Sequence, residues 1–376
     1  MKRLVYASIG LASFIFNPDS ISYASTADKQ PEGNKVKTVV TNSTKTEDPG
    51  KRVSVNHEWG SLKEVIVGRG DDFVIPSWSD QVAKLEAPPE TKEYIKKHGG
   101  KKYSEVDPEG SKEIVEQMNG LAGLLESRGI IVHRNRLYTP EEMQYLSDIQ
   151  KGASLIFMRD PVIVIGNNII ETALQAPVRR KERFSIREIL LDAAKDGNAR
   201  YISMPVASPR FPKEAEYDPF LEGGDVLLNG YEIYAGYSGR ASNQAGIEWL
   251  QQYLGPKYKV HTIKLKPHVL HLDCAMALLR PGLGIICKDR IIGELPESLK
   301  DFDFIEVTEE EASKLGANVL VLDEKTVIVD KQLTRIGNEL SKKGQEVIEI
   351  PYDALANWGG SFRCSHHPLR RDSKLD

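Results

Sequence analysis

The chain has 376 residues, 40% hydrophobic and 28% charged, with 50 Lys and Arg against 54 Asp and Glu for a formal net charge of −4. This is ordinary globular composition with enough apolar residues for a full core, and no global basic field exists to attract nucleic acid. Three cysteines, Cys274, Cys287 and Cys364, are an odd count without a Cys-x-x-Cys pair, which argues against a disulfide framework and a structural zinc site. The basic runs Arg179-Arg180-Lys181 and Arg370-Arg371 read as solvated surface.

The N-terminus has the form of an export signal. Lys2 and Arg3 precede a mainly apolar run over 4–16, and Ser22-Tyr23-Ala24 offers a small-x-small cleavage site, which makes 1–24 a signal peptide. The run is shorter than the roughly 20 residues that span a bilayer, so no stable membrane span is expected. Residues 25–52 are polar and read as a flexible spacer, leaving 53–376 as a single catalytic domain. A periplasmic or secreted location follows, with an uncleaved leader on a cytoplasmic enzyme as the alternative. A catalytic thiol sits awkwardly in an oxidising compartment.

From residue 53 a unit recurs. The first combines a strand over 64–68, a helix over 112–127 and a strand over 130–133, with a long insertion between. The second has a hairpin over 161–170 turning at Gly166-Asn167-Asn168, a helix over 183–194 and a strand over 201–204. The third turns at Asn229-Gly230, a strong hairpin signal, followed by a helix over 243–254 and a strand over 259–263. The fourth reads as a hairpin over 284–293, a short helical stretch near Leu299 and a strand over 304–307. The fifth turns at Asp323-Glu324-Lys325, with a helix over 332–343 and a strand over 346–350. Five strand–strand–helix–strand units bury their faces only against each other, so a closed ring is the natural arrangement. An ordinary α/β domain with several hairpins is the alternative, and the regular order favours the ring.

Acidic residues recur just before the hairpins: Asp160 before the second, Glu222 and Asp225 before the third, His271 and Asp273 before the fourth. Equivalent points of a pseudo-symmetric ring converge on its axis, so these side chains should share a central pocket. Cys364 follows the last strand, after the paired Gly359-Gly360 that permit unusual backbone angles or close approach. A thiol with a reference pKa of about 8.5 needs an activating partner, either His271 or a cation brought by the substrate. Two carboxylates at one site are costly to keep ionised unless a cation joins them. A guanidinium is such a cation: Asp160 and Asp273 can each take one edge of its planar fork and hold its carbon over the sulfur. Cys274 and Cys287 lie among apolar residues and read as core, Trp59 and Trp249 as packing, and the spacing of His366 and His367 fits no common metal set.

Taken together, residues 58–68 (EWGSLKEVIVG), Arg159-Asp160, Glu222-Gly-Gly-Asp225, His271-Leu-Asp273 and Gly359-Gly-x-x-x-Cys364 resemble the guanidino-group-modifying, or pentein, superfamily. The match runs over about 53–372 and looks closest to the amidinotransferases, with arginine deiminases and dimethylarginine hydrolases next. The resemblance implies a five-bladed α/β propeller of ββαβ units. It also implies a site in which Cys364 is the nucleophile, His271 the general acid/base and Glu222 its orienting partner. Asp160 and Asp273 would clamp the guanidinium, Arg290 would hold the substrate carboxylate, and Asp225 and Arg240 would also bind substrate. No cofactor or metal is implied. The partners would be arginine or a close analogue and an amine acceptor, with self-association left open.

Glu58-Trp59-Gly60, Gly246-Ile-Glu-Trp249 and Arg290 follow the transferases. Ser238-Gly-Arg240 is similar to an element of the hydrolases, Glu311-Ala312 replaces a serine pair of the glycine-type transferases, and Arg363 stands where transferases carry His. The expected activity is amidino transfer from arginine through an amidino-cysteine. Two alternatives stay open: a deiminase or dimethylarginine-type hydrolase with water as acceptor, and an exported arginine-binding protein without turnover.

Overall fold

A computed structural model describes residues 52–83, 89–195, 197–209, 218–372 and 375. The expected signal peptide and all but the last residue of the expected spacer lie outside the described residues. Among the described residues no helix is long and apolar enough to cross a membrane.

Five small sheets follow one another along the chain and form a five-bladed α/β propeller. Blade two shows the plan: Val162–Ile165 pairs antiparallel with Asn168–Glu171, a helix over Glu182–Ala193 crosses back, and Arg200–Ser203 pairs parallel. Blade three repeats it with Val226–Asn229, Glu232–Tyr237, the helix Gln244–Leu254 and Lys259–Leu265. Its tight turn needs Gly230, whose φ of +66° suits a residue without a Cβ. The Asn243 side chain accepts the Gly246 N–H and caps the helix, which stops at Gly255 in a positive-φ conformation. Blade five is built from Leu320–Val321, Thr326–Asp330, the helix Thr334–Lys342 and Glu346–Ile350.

Blade four departs from the sequence reading. Its hairpin joins Met276–Arg280 to Leu283–Ile286 around Pro281-Gly282, not the strands expected over 284–293. Gly282 supplies a φ of +73°, and the Pro-Gly pair is the stronger turn signal. The expected turn at Asp289 is instead a 3-10 turn, Lys288–Arg290, and the following Ile291–Ile292 crosses to pair with blade three. The fourth blade ends with the parallel strand Asp303–Glu306.

Blade one closes the ring. Its central strand Ser61–Val67 pairs parallel with Ile131–Arg134, as expected, and antiparallel with the C-terminal strand His366–Asp372. The first strand of the first blade is therefore the last strand of the chain. The helix Pro108–Ser127 starts at Asp107, whose side chain accepts the Gly110 N–H, and buries Ile114, Met118, Leu121 and Leu125 along one face. Inward-facing Val, Ile and Leu of the blades then pack in three apolar clusters. A fully buried side chain of this type contributes about 1.5–3 kcal/mol.

Candidate active site

Each blade delivers polar side chains from the residues just ahead of its first strand. Cys364 precedes the closing strand of blade one, Asp160 blade two, Glu222 and Asp225 blade three, His271 and Asp273 blade four, and Asn318 blade five. All seven are buried.

One half of the site surrounds His271. Its Nε2 lies 2.9 Å from Glu222 Oε2, and its Nδ1 3.8 Å from Asp160 Oδ1. Burial opposes the imidazolium, but the Asp160 charge and the Glu222 hydrogen bond overcome it and push the His271 pKa up to about 10. The same burial would raise the Asp160 pKa, yet His271 and Arg179 hold it below the usual carboxylate range. Gly224 donates its N–H to Asp160 Oδ1 at 2.9 Å. A Cβ there would lie 2.7 Å from His271 Nδ1 and 2.8 Å from Asp160 Oδ1, so the histidine and aspartate close in only over glycine. Asp225 lies against the same group, its charge being among those that raise the His271 pKa. Its Oδ1 accepts the Leu272 N–H at 2.9 Å, fastening the turn that carries His271, and burial pushes its pKa up to about 7.

The other half holds the thiol. Cys364 sits in the short helix Phe362–Ser365, with Sγ 3.1 Å from Asn318 Nδ2 and 3.7 Å from Asp273 Oδ2. Burial pushes the Cys364 pKa well above the ordinary thiol value, and Asp273 and Asp160 push it further. The thiol is thus protonated until a cation offsets those carboxylates. Arg363, next to Cys364, reaches the Gly223 carbonyl at 3.5 Å, beside the Gly224 over which Asp160 and His271 close, so the two halves adjoin.

Two of the chain's own guanidinium groups occupy the expected clamps. Arg179 donates Nη2 to Asp160 Oδ2 at 2.8 Å and Nη1 to Glu222 Oε2 at 3.1 Å, with Glu182 bound through Nε and Nη2 at 2.9 Å each. Arg363 donates Nη1 to Asp273 Oδ2 at 3.0 Å and is held from behind by both oxygens of Glu58, at 3.0 and 3.2 Å. Glu182 is crowded by burial, Asp160 and Glu222; its pKa rises to about 7 despite Arg179. Asp160, Glu222 and His271 also bring donor atoms within 4.8 Å of one another, close enough to hold a small cation, but Arg179 already sits on two of them.

The basic run 179–181 is therefore not solvated surface. Arg179 enters the site, Arg180 is buried on the Leu174 and Gln175 carbonyls, and Lys181 is buried on the Met143 and Gly152 carbonyls. Arg290 is likewise buried, and the carboxylate it grips belongs to Glu309, at 2.9 and 3.2 Å, with Ser313 Oγ at 3.1 Å. Arg240 donates to the His268 carbonyl at 3.1 Å on the exposed side. Cys274 and Cys287 are free thiols packed in the core, as expected.

Sequence reasoning missed Asn318, Glu182 and the inward placement of Arg179 and Arg363. The signal for Asn318 was present: it occupies the position ahead of the fifth hairpin that Asp160 occupies ahead of the second. Nothing in a run of three basic residues says which one turns inward.

A family model described as "N,N dimethylarginine dimethylhydrolase, eukaryotic" matches residues 95–371. Mitochondrial glycine amidinotransferase of Xenopus laevis is 28% identical over 85% of this chain and 83% of that protein. The L-arginine:L-lysine amidinotransferase of Pseudomonas savastanoi pv. phaseolicola is 26% identical over 85% of this chain and 94% of its own length. Among solved structures, an amidinotransferase from Microseira wollei in the saxitoxin biosynthetic pathway superposes with a TM-score of 0.72 at 27% identity, covering 86% of this chain and 99% of that one. Fold and family model agree that the chain belongs to the guanidino-group-modifying, or pentein, superfamily of enzymes, and the relatives and the solved structure named above are amidinotransferases.

Proposed function

We propose that the chain transfers the amidino group of L-arginine, or a close analogue, to an amine through an amidino-cysteine on Cys364. The observation that carries this reading is that Asp160 and Glu222 already hold a planar guanidinium, that of Arg179, beside His271. Asp273 holds another beside Cys364 Sγ. A carboxylate set that accommodates these cations suits a substrate cation of the same shape.

A donor guanidinium that enters beside Asp160 and Asp273 while Arg179 and Arg363 stay bound through Glu182 and Glu58 adds one positive charge to the carboxylates that keep the thiol protonated. The Cys364 pKa then falls and the thiol gives up its proton to solvent in exchange for the bound cation, His271 being already protonated, so the substrate activates its own nucleophile. Sulfur adds to the guanidinium carbon; on collapse the C–N bond to the side-chain amine breaks, and the His271 imidazolium supplies the proton the leaving amine needs. The amidino group remains on sulfur. The incoming amine gives a proton to the now neutral His271, attacks the same carbon, and the C–S bond breaks to return the thiolate. Glu222 orients the imidazole throughout, while Asn318 holds sulfur in place.

A second reading has water as acceptor, giving citrulline and ammonia from arginine, and the match to a dimethylhydrolase family model favours it. Product analysis with arginine, with and without a panel of amines, decides between them. Ornithine with a new guanidino compound, formed only when an amine is present, supports transfer. Citrulline formed without amine favours the hydrolase, and neither product points to a binding protein.

A further inference from the structure

The Arg159–Asp160 peptide separates two groups of charge. Asp160 belongs to the site around His271, whereas Arg159 meets the chain behind Cys364: its Nε donates to the Arg363 carbonyl at 3.1 Å and its Nη2 lies 3.1 Å from His366 Nε2. Arg371 joins it from the closing strand and donates Nη1 to the Gly60 carbonyl at 2.7 Å. Arg159 is 6% exposed and Arg371 3%, yet among the described residues neither has a carboxylate within ion-pair distance. A buried ion without a counter-charge costs several kcal/mol. The third guanidinium here, Arg363, takes the nearby carboxylates, Glu58 and Asp273. Arg159 and Arg371 are thus left without an ion pair, with Asp323 acting on Arg371 only from longer range.

A cavity lies at this imbalance. Glu58, Arg159, His367 and Arg371 line it together with apolar Val164 and Leu228, and its free volume of about 10 Å³ admits the centre of one particle of water's size. His367 is 3% exposed, and its Nδ1 has no hydrogen-bond partner among the described residues. The surrounding field is positive: burial and neighbouring arginines depress Arg159 to about 9 and Arg371 to about 10, and hold His366 and His367 well below the ordinary histidine range.

We propose that this cavity binds one small monovalent anion of the halide class, chloride-sized, between Arg159, Arg371 and His367. One negative charge answers the two unpaired guanidinium groups, and a single-atom ion asks least of so small a space; a sulfate or phosphate is too large and carries too much charge. The site lies behind the nucleophile segment, because the Arg159 N–H also donates to the Cys364 carbonyl at 3.0 Å. The inference concerns binding alone and holds whichever acceptor the enzyme uses.

The test uses the full chain. Thermal unfolding in sodium chloride or bromide is compared with sodium gluconate at matched ionic strength, and crystals grown in bromide are examined by anomalous diffraction. The expected results are a Tm about 3 °C or more higher in halide, saturating with concentration, and a bromide peak inside the cavity. Arg371→Gln should raise the halide concentration at half-effect at least tenfold. Equal Tm in halide and gluconate, or a bromide map with no peak between Arg159 and Arg371, overturns the proposal. Should Arg371→Gln fail to fold, the two wild-type measurements decide it.

Discussion

Asn318 holds Cys364 by both ends of its amide: Nδ2 lies 3.1 Å from the sulfur, and Oδ1 accepts the Cys364 backbone N–H at 3.1 Å. The backbone bond fixes the loop and the side-chain bond aims the thiol. Asn318→Ala should lower kcat by roughly ten- to a hundredfold, the loss of one hydrogen bond to a charged group. Asn318→Asp should be worse, because it places a negative charge beside a sulfur that must become a thiolate. Steady-state kinetics and the pH dependence of iodoacetamide labelling of Cys364 check this; an Asn318→Asp enzyme with wild-type kcat and labelling profile would contradict it.

Gly224 has no space for a side chain between His271 and Asp160. Gly224→Ala should displace one or both by the few tenths of an ångström needed to relieve contacts of 2.7 and 2.8 Å. A misplacement of about 1 Å costs on the order of a hundredfold in kcat, so a shift of a few tenths should cost roughly three- to tenfold. Circular dichroism should remain native while kcat falls, and a fully active alanine variant would show that the close approach is dispensable.

His271 gives a stability signature with a definite sign. Its folded pKa of about 10 lies above the reference value near 6.5, so the folded state keeps a proton that the unfolded state has released. Its contribution is fully present below about pH 6.5 and is lost as pH rises toward 10, at up to about 1.4 kcal/mol per pH unit. Asp225 and Glu182, with pKa values raised to about 7, complete their change lower down, and groups that titrate higher, Arg159 at about 9 among them, are shared by wild type and variant and cancel in the difference over pH 8 to 9.5. Urea unfolding should show the difference between wild type and His271→Asn shrinking across that window. A constant difference would contradict a protonated His271.

Arg179 neutralises three buried carboxylates at once. Replacing it with Met leaves Asp160, Glu182 and Glu222 crowded around the His271 imidazolium alone, and the expected loss is about 3–5 kcal/mol of folding stability at neutral pH. The loss should shrink as pH falls and the carboxylates protonate, which denaturant titrations at pH 7 and pH 5 can show. An equal loss at both values would mean that Arg179 acts through packing alone.

How much of this was legible in the sequence follows from which signals are local. Hairpin turns at Gly166 and Gly230, helix periods and short apolar strands are written in contiguous residues, and the second, third and fifth blades were readable from them. Ring closure was not, because the partner of Ser61–Val67 lies some three hundred residues later, in a strand rich in His, Pro and Arg. Missing that strand hid the rule's fifth instance: Cys364 stands ahead of a blade's first strand, as Asp160 and Asn318 do. The shift of the fourth hairpin came from reading the Ile pairs on either side of Lys288-Asp289-Arg290 as its two strands, above the Pro281-Gly282 turn. Arg179 and Arg363 could not be placed inward from sequence, since a buried arginine is identified only by the carboxylates that reach it through the fold.

The account stands on sulfur forming a bond to the guanidinium carbon. Rapid acid quench of the enzyme during turnover of arginine without acceptor, followed by peptide mass spectrometry, addresses that directly. The expected result is a gain of about 42 Da on the peptide containing Cys364, lost on adding a competent amine and absent from Cys364→Ala. Turnover that proceeds at the wild-type rate in Cys364→Ala, or an adduct carried by Cys274 or Cys287 instead, would contradict it.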